Sequence, residues 1–259
     1  MHLTRIGFTP LKGTRHAAHT DVRLEETGPV GDRVFCLVDP ARARVLRTVE
    51  NPTLVQATAA WDGTELSVTL PSGAVAGSPV STGERLKVDY WGRVEEVELV
   101  DGGWAAAFSA HLGYEVRLGR VLAPGAVVYG ASVTLVTTAS LARLSAEVGA
   151  PVDGARFRST LCVDTDGSGF SGPSGELPPE DAWVGRELRV GGARLRVRGT
   201  VPRCAVVDLH PATGRRDQPV LRALAGYRRA QGEVLFGVDA VVTRPGVVRI
   251  GDGVTVERG

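Results

Sequence analysis

Cys204 stands in the run Thr200-Val201-Pro202-Arg203-Cys204, at a turn directly after a strand-like stretch that ends near Arg198. Pro202 fixes the local backbone, and the adjacent Arg203 cation favours thiolate over thiol. A thiolate at a strand-end turn suits a soft-metal ligand or a sulfur nucleophile; an inert buried cysteine is the plain alternative. A second constellation is cationic: Lys12, Arg33 in Gly31-Asp32-Arg33, and Arg156-Phe157-Arg158. Each falls at a turn or strand edge, where a side chain can reach a ligand, although each alone reads equally well as a surface ion pair. Arginine forks hold phosphate bidentately and a lysine adds a point charge, so together they could neutralise an anionic cofactor. Asp32 reads as the anchor of its own turn. Only Lys12 and Lys87 are lysines among the 30 basic residues, a bias expected of a GC-rich genome that makes a retained Lys12 worth following.

Composition removes several classes of function. Thirty basic against 29 acidic residues leave a net charge of +1, too little cationic excess for a dedicated nucleic-acid binder. Three cysteines provide neither a disulfide framework nor four thiolates for an iron–sulfur cluster, and Cys36 and Cys162 sit inside apolar strand patterns that suit a core. The five histidines have no zinc spacing, so a bound metal would not be held by a standard protein cage. The start at Met1-His2-Leu3-Thr4-Arg5 lacks a signal-peptide pattern, and the uncharged stretch 121–142 is broken by Pro124, Gly125 and Gly130. A soluble, cytoplasmic protein without a membrane span is expected.

The elements that must position these groups are mostly strands. Period-2, β-branched runs broken by Gly, Pro and Asp turns predict strands near 3–8, 34–38, 55–61, 66–70, 86–90, 94–100 and 116–121. Further strands are expected near 134–136, 160–163, 187–190, 195–197, 206–208, 238–242 and 255–257. Helices are expected at 101–112, 138–148 and 217–229, the last with Asp217 as N-cap. Strands outnumber helices and do not alternate with them, which argues for a mainly β (α+β) fold, a β-barrel-like body with a few covering helices. The Gly-, Ser- and Pro-rich stretch 164–179 reads as a flexible loop, and a soft boundary lies near 120–129.

In this order the motifs resemble the MOSC family, the molybdenum cofactor sulfurase C-terminal domain proteins, along nearly the whole chain. The N-terminal part carries Pro10-Leu11-Lys12, Gly28-Pro29-Val30-Gly31-Asp32-Arg33 and Arg47 before Asn51-Pro52. The C-terminal part carries Ala139-Ser140-Leu141, Arg156-Phe157-Arg158, Trp183-Val184-Gly185, Pro202-Arg203-Cys204, Pro211-Ala212-Thr213-Gly214, Phe236-Gly237 and Pro245-Gly246. The resemblance implies an N-terminal β-barrel-like domain over 1–120 and a MOSC domain over 121–259. It also implies a molybdopterin-type molybdenum cofactor, as in relatives such as the mitochondrial amidoxime-reducing component. Cys204 would then ligate the metal, with Lys12, Arg33, Thr137, Arg158 and Arg203 around the cofactor. The implied activity is reduction of N-oxygenated small molecules, fed by a separate electron donor such as a ferredoxin or flavin reductase. A sulfur carrier or sulfurtransferase using a Cys204 persulfide is the alternative, and a pathway-specific biosynthetic enzyme a third. The chain departs from the family pattern at Gly13 (usually Ser), at Ser159-Thr160 (usually Pro-Asn) and at Asp239 (usually aromatic), where a carboxylate would repel an anionic group unless paired.

Overall fold

The computed structural model describes residues 1–165 and 178–257. It is mainly β with three α-helices, as the strand-rich texture implies. The largest sheet joins, in order, Ala17–His19, His2–Phe8, Leu161–Asp164, Val133–Thr137, Glu233–Arg244, Ala193–Pro202, Glu187–Val190 and Val254–Val256. Alternation decides its faces: Leu195, Val197, Val238, Ala240 and Val242 point into one core with Leu3, Ile6 and Leu135. Each of the Val, Leu and Ile side chains among them contributes on the order of 1.5–3 kcal/mol by leaving water. The sheet curls until the segment of its last strand reaches the start of His2–Phe8. Val254 N–H donates to Met1 O at 2.9 Å, and Leu3 N–H donates to Asp252 O at 2.9 Å.

A second core belongs to a closed barrel of Val80–Tyr90, Arg93–Asp101, Arg117–Val121, Phe35–Asp39 and Arg44–Val45. The meander Thr58–Trp61, Leu66–Leu70, Gly73–Gly77 and helix α1 (Trp104–Leu112) pack on it through Leu66, Val68, Trp104 and Phe108. Helices α2 (Thr138–Val148) and α3 (Val220–Tyr227) cover the large sheet through Leu144, Val220 and Leu224. Among the described residues no helix is long and apolar enough to cross a membrane.

His2–Phe8 pairs with Leu161–Asp164, and Asp21–Glu25 pairs with Gly246–Arg249, so strands from both ends of the chain share sheets. His2–Phe8 and Asp21–Glu25 thus belong by hydrogen bonding to the C-terminal body, whereas the segment between them bonds to the barrel side, Lys12 N–H donating to Phe35 O at 2.8 Å and Arg15 N–H to Ala57 O at 2.9 Å. Several sequence expectations need correction. The apolar run at 206–208 forms a 3-10 turn, Ala205–Asp208, not a strand. Helix α3 begins at Val220 after Pro219, and its first turn is capped by Asp208, whose Oδ1 accepts Leu221 N–H at 2.7 Å, while Asp217 pairs with Arg156 instead. The stretch 164–179 lies, except at its ends, outside the described residues.

Candidate functional site

A cleft of about 300 Å³ opens between the closed barrel and the large sheet, and Lys12, Arg33, Arg158, Arg203 and Cys204 all line it. The sequence separates these residues by up to 192 positions; the topology brings them to one hollow. Strand Ala193–Pro202 ends at its rim, and Cys204 follows as the extended residue before the 3-10 turn, with its side chain exposed. Cys36 and Cys162 are buried within their strands.

Arg203 braces this end of the cleft. Its Nε donates to Phe236 O at 2.8 Å and its Nη1 to Phe157 O at 2.9 Å, so one guanidinium ties the Cys204 strand end to two other segments. Phe157 and Phe236 stack with ring centroids 4.3 Å apart. The next residue, Arg158, adopts φ 51°, a left-handed conformation that closes the 3-10 turn Gly154–Phe157. That turn aims Arg158 across the floor, where its Nη1 donates to Thr14 O at 2.8 Å. Arg33, also left-handed at φ 48°, is paired with Asp32, whose other oxygen accepts Thr9 N–H at 3.2 Å. Lys12 Nζ lies 4.8 Å from the centre of the Tyr90 ring.

The electrostatics follow from crowding like charges in a partly dry place. Burial, then repulsion from Arg33 and Arg158, lowers the Lys12 ammonium to about 7. Burial first, then Arg33, lowers Arg158 to about 9, and burial lowers Arg203 to about 10; both stay cationic at neutral pH. Beneath the floor His16 is buried, and its proton affinity falls well below the ordinary value by desolvation and then by Arg158 and Arg5. Arg203 Nη2 is buried without a hydrogen-bond partner. A buried guanidinium donor left unmatched beside a cluster of cations suits an anion with several acceptor oxygens.

Two basic residues of the cleft are already spent. Arg156 is clamped by both oxygens of Asp217, at 2.8 and 2.9 Å, and Arg47 is held by Asp89 at 3.1 Å. Thr137 does not line the cleft. It is the N-cap of α2, fully buried, and donates to Glu180 Oε2 at 2.6 Å, so its hydroxyl is committed to the core. Thr134 and Thr160 line the cleft instead, each backbone N–H bonded to the other's hydroxyl at 3.2 Å.

The departures at the other positions have local reasons. Gly13 has φ +97°, and a Cβ there would lie 2.8 Å from Leu54 Cδ1, so a serine would be strained and would have to displace the Leu54 methyl group. Asp239 accepts Ala131 N–H at 3.0 Å, which answers the repulsion expected of a bare carboxylate. The residues missed from the sequence are Tyr90, Trp91 and Tyr129, which line the cleft from the barrel hairpin and the connecting loop. Trp91-Gly92 reads in sequence as a turn and nothing more.

Comparison with known proteins follows the same lines. The MOSC domain family matches residues 111–255, more than half of the chain. The chain belongs to the MOSC domain family. It is 36% identical over 91 residues to a molybdenum cofactor sulfurase of Oryza sativa subsp. japonica, which is 34% of this chain and 10% of that protein. It is 37% identical over 85 residues to the molybdenum cofactor sulfurase of Solanum lycopersicum, 32% of this chain and 9% of that one. The chain spans about a tenth of the length of these curated relatives. Among solved structures, the YuaD protein from Bacillus subtilis aligns with 98% of this MOSC chain and 93% of its own, at 13% identity and TM-score 0.45. Among the described residues no group of three His, Cys, Asp or Glu side chains could hold a metal ion.

Proposed function

We propose that this MOSC protein binds a molybdenum–pterin cofactor in the cleft, with Cys204 as the protein's ligand to the metal, and reduces N-oxygenated small molecules such as N-hydroxylated amines or oximes. The observation that carries the reading is the exposed Cys204 thiol sharing one cleft with Lys12, Arg33, Arg158 and Arg203. The residues fit the group: a soft thiolate suits molybdenum, and free cationic donors suit an anionic pterin tail. When bound, the cofactor supplies two-electron oxygen-atom chemistry; the chain supplies the rest. Arg158 and Lys12 bind and orient the anionic end, Arg33 adds charge while tethered by Asp32, and Arg203 keeps the Cys204 backbone fixed against Phe157 and Phe236. The reading includes an electron donor such as a ferredoxin or flavin reductase, and the three cysteines of this sequence build no cluster of four thiolates.

The relatives named molybdenum cofactor sulfurase favour a second reading, in which Cys204 carries sulfane sulfur. Its thiolate would take the outer sulfur of a donor persulfide, releasing the donor thiolate, with Arg203 stabilising the new anion. One experiment separates the two. The protein is purified from a host able to make molybdopterin, and molybdenum and pterin are measured per chain. Near-stoichiometric metal that disappears in Cys204→Ala supports the cofactor reading. Cyanide-labile sulfur on Cys204 without metal supports the sulfur carrier, and the absence of both overturns the two together.

A further inference from the structure

The mouth of the cleft carries two aromatic side chains that neither fold nor cofactor reading uses. Trp91 is 45% exposed and Tyr129 60% exposed, their ring centroids are 6.0 Å apart, and both line the hollow that holds Cys204. Trp91 sits at φ 55° followed by Gly92 at φ 80°, between the paired residues Tyr90 and Arg93, so it occupies the first central position of a two-residue hairpin turn. Such a turn prefers Asn-Gly, and a bulky aromatic with positive φ is an outlier that local folding does not select. The surrounding residues nevertheless hold it still. The Arg47 guanidinium lies 4.1 Å from the Trp91 ring centre and is itself fixed by Asp89. Arg93, two residues on, donates to Ala126 O at 2.9 Å and Val128 O at 3.0 Å, which fastens the hairpin to the loop that bears Tyr129. A strained turn, a supporting cation and a backbone staple thus maintain two large rings in water at the entrance to a cationic cleft.

We propose that Trp91 and Tyr129 are specificity-determining residues of this cleft, and that its ligand carries a flat unsaturated ring that lies against them while its anionic or polar end meets Arg158 and Lys12. The inference deepens the reading of the cleft as the ligand site and rests on it. A substrate ring and a pterin ring share this chemistry, and the test separates them.

Benzoate and cyclohexanecarboxylate have the same charged head and nearly the same bulk, and differ in whether the ring is flat. Their affinities are measured by titration calorimetry on the full chain, made in a host unable to make molybdopterin. The wild type is expected to bind benzoate about two- to tenfold more tightly, the worth of one aromatic stacking contact. That ratio falls towards one in Trp91→Asn and in Tyr129→Leu, and reaches one in the double variant. Trp91→Asn also restores a favoured turn, so its melting temperature stays level or rises, which excludes misfolding as the cause. Arg158→Gln weakens both acids equally and leaves the ratio alone. If the ratio persists in cofactor-loaded protein, the ring site belongs to substrate; if it vanishes there, the site takes the cofactor's ring. Equal binding of the two acids by the wild type, or a ratio that survives in the double variant, overturns the inference while leaving the anion site standing. Failure of both acids to bind overturns the anion site as well.

Discussion

Replacing Lys12 with methionine should stabilise the empty protein and weaken its hold on anions, and the gain should depend on pH in a stated direction. The ammonium is lowered from 10.5 to about 7, by burial first and then by Arg33 and Arg158. At about 1.4 kcal/mol per tenfold change in proton affinity, this corresponds to an upper limit of about 5 kcal/mol. Lys12 is only half-buried and keeps its contact with the Tyr90 ring, so about 2 kcal/mol is the expected gain on substitution. The sign follows from proton counting. Between about pH 7 and 10.5 the unfolded chain holds a proton at this site that the folded chain lacks, so stability rises with pH across that window. The penalty is full below pH 7 and less than half remains at pH 9. Lys12→Met should therefore raise the melting temperature by about 4–8 °C at pH 6 and by less than half of that at pH 9. Thermal unfolding at the two pH values, with phosphate affinity measured alongside, provides the check. A gain independent of pH, or a loss at pH 6, would refute the account of the cleft as a place of mutual cation repulsion.

Three further outcomes follow from other contacts. Arg203→Gln removes the donors to Phe236 O and Phe157 O and should cost about 2–4 kcal/mol in denaturant unfolding, while lowering anion affinity; unchanged stability would show that the brace is idle. Gly237→Ala places a Cβ 2.5 Å from Leu135 O at φ +71°, and should destabilise by more than about 2 kcal/mol, a value that near-neutral behaviour would contradict. Iodoacetamide on the native protein should label Cys204 at least tenfold faster than Cys36 or Cys162, read by peptide mass spectrometry; comparable labelling of Cys36, whose thiol burial pushes up to about 12, would place the exposed sulfur wrongly.

The chemistry of the site was more legible in the sequence than its walls. Lys12, Arg33, Arg158, Arg203 and Cys204 each stand at a turn or strand end, and residues at such places project away from the core; the cleft gathers all five. Thr137 looked equivalent by residue type, but a threonine opening a helix is also an N-cap, and here its hydroxyl is buried against Glu180. Long periodic segments read well: 66–70, 138–148 and 187–190 have the bounds observed. The apolar run 206–208 did not, because three residues cannot separate a strand from a helical turn. The pairing of Asp21–Glu25 with Gly246–Arg249 spans more than two hundred residues, and no local pattern carries that information. Trp91 was hidden for a related reason: its turn is visible in sequence, but the loop it faces is not.

The cleft is built at the expense of stability. Burial and the crowding of Lys12, Arg33 and Arg158 on its floor lower the Lys12 ammonium to about 7, Arg203 Nη2 is among the buried nitrogens without an acceptor, and Arg33 and Arg158 both adopt left-handed conformations that non-glycine residues avoid. None of these helps the empty chain fold. Each is held by contacts from elsewhere: Arg158 by Thr14 O, Arg203 by two phenylalanine carbonyls, and the loop after Cys204 by Arg15, which donates to Ala212 O at 3.0 Å. Those contacts join the N-terminal residues to the C-terminal body on both sides of the hollow. His2–Phe8 pairs with Leu161–Asp164 and Lys12 N–H donates to Phe35 O at 2.8 Å, so the segment that carries Lys12 is tied to both bodies that line the cleft. An anion that meets the free donors relieves repulsion and completes a hydrogen bond together, so binding should stabilise the whole sheet to which these residues are anchored.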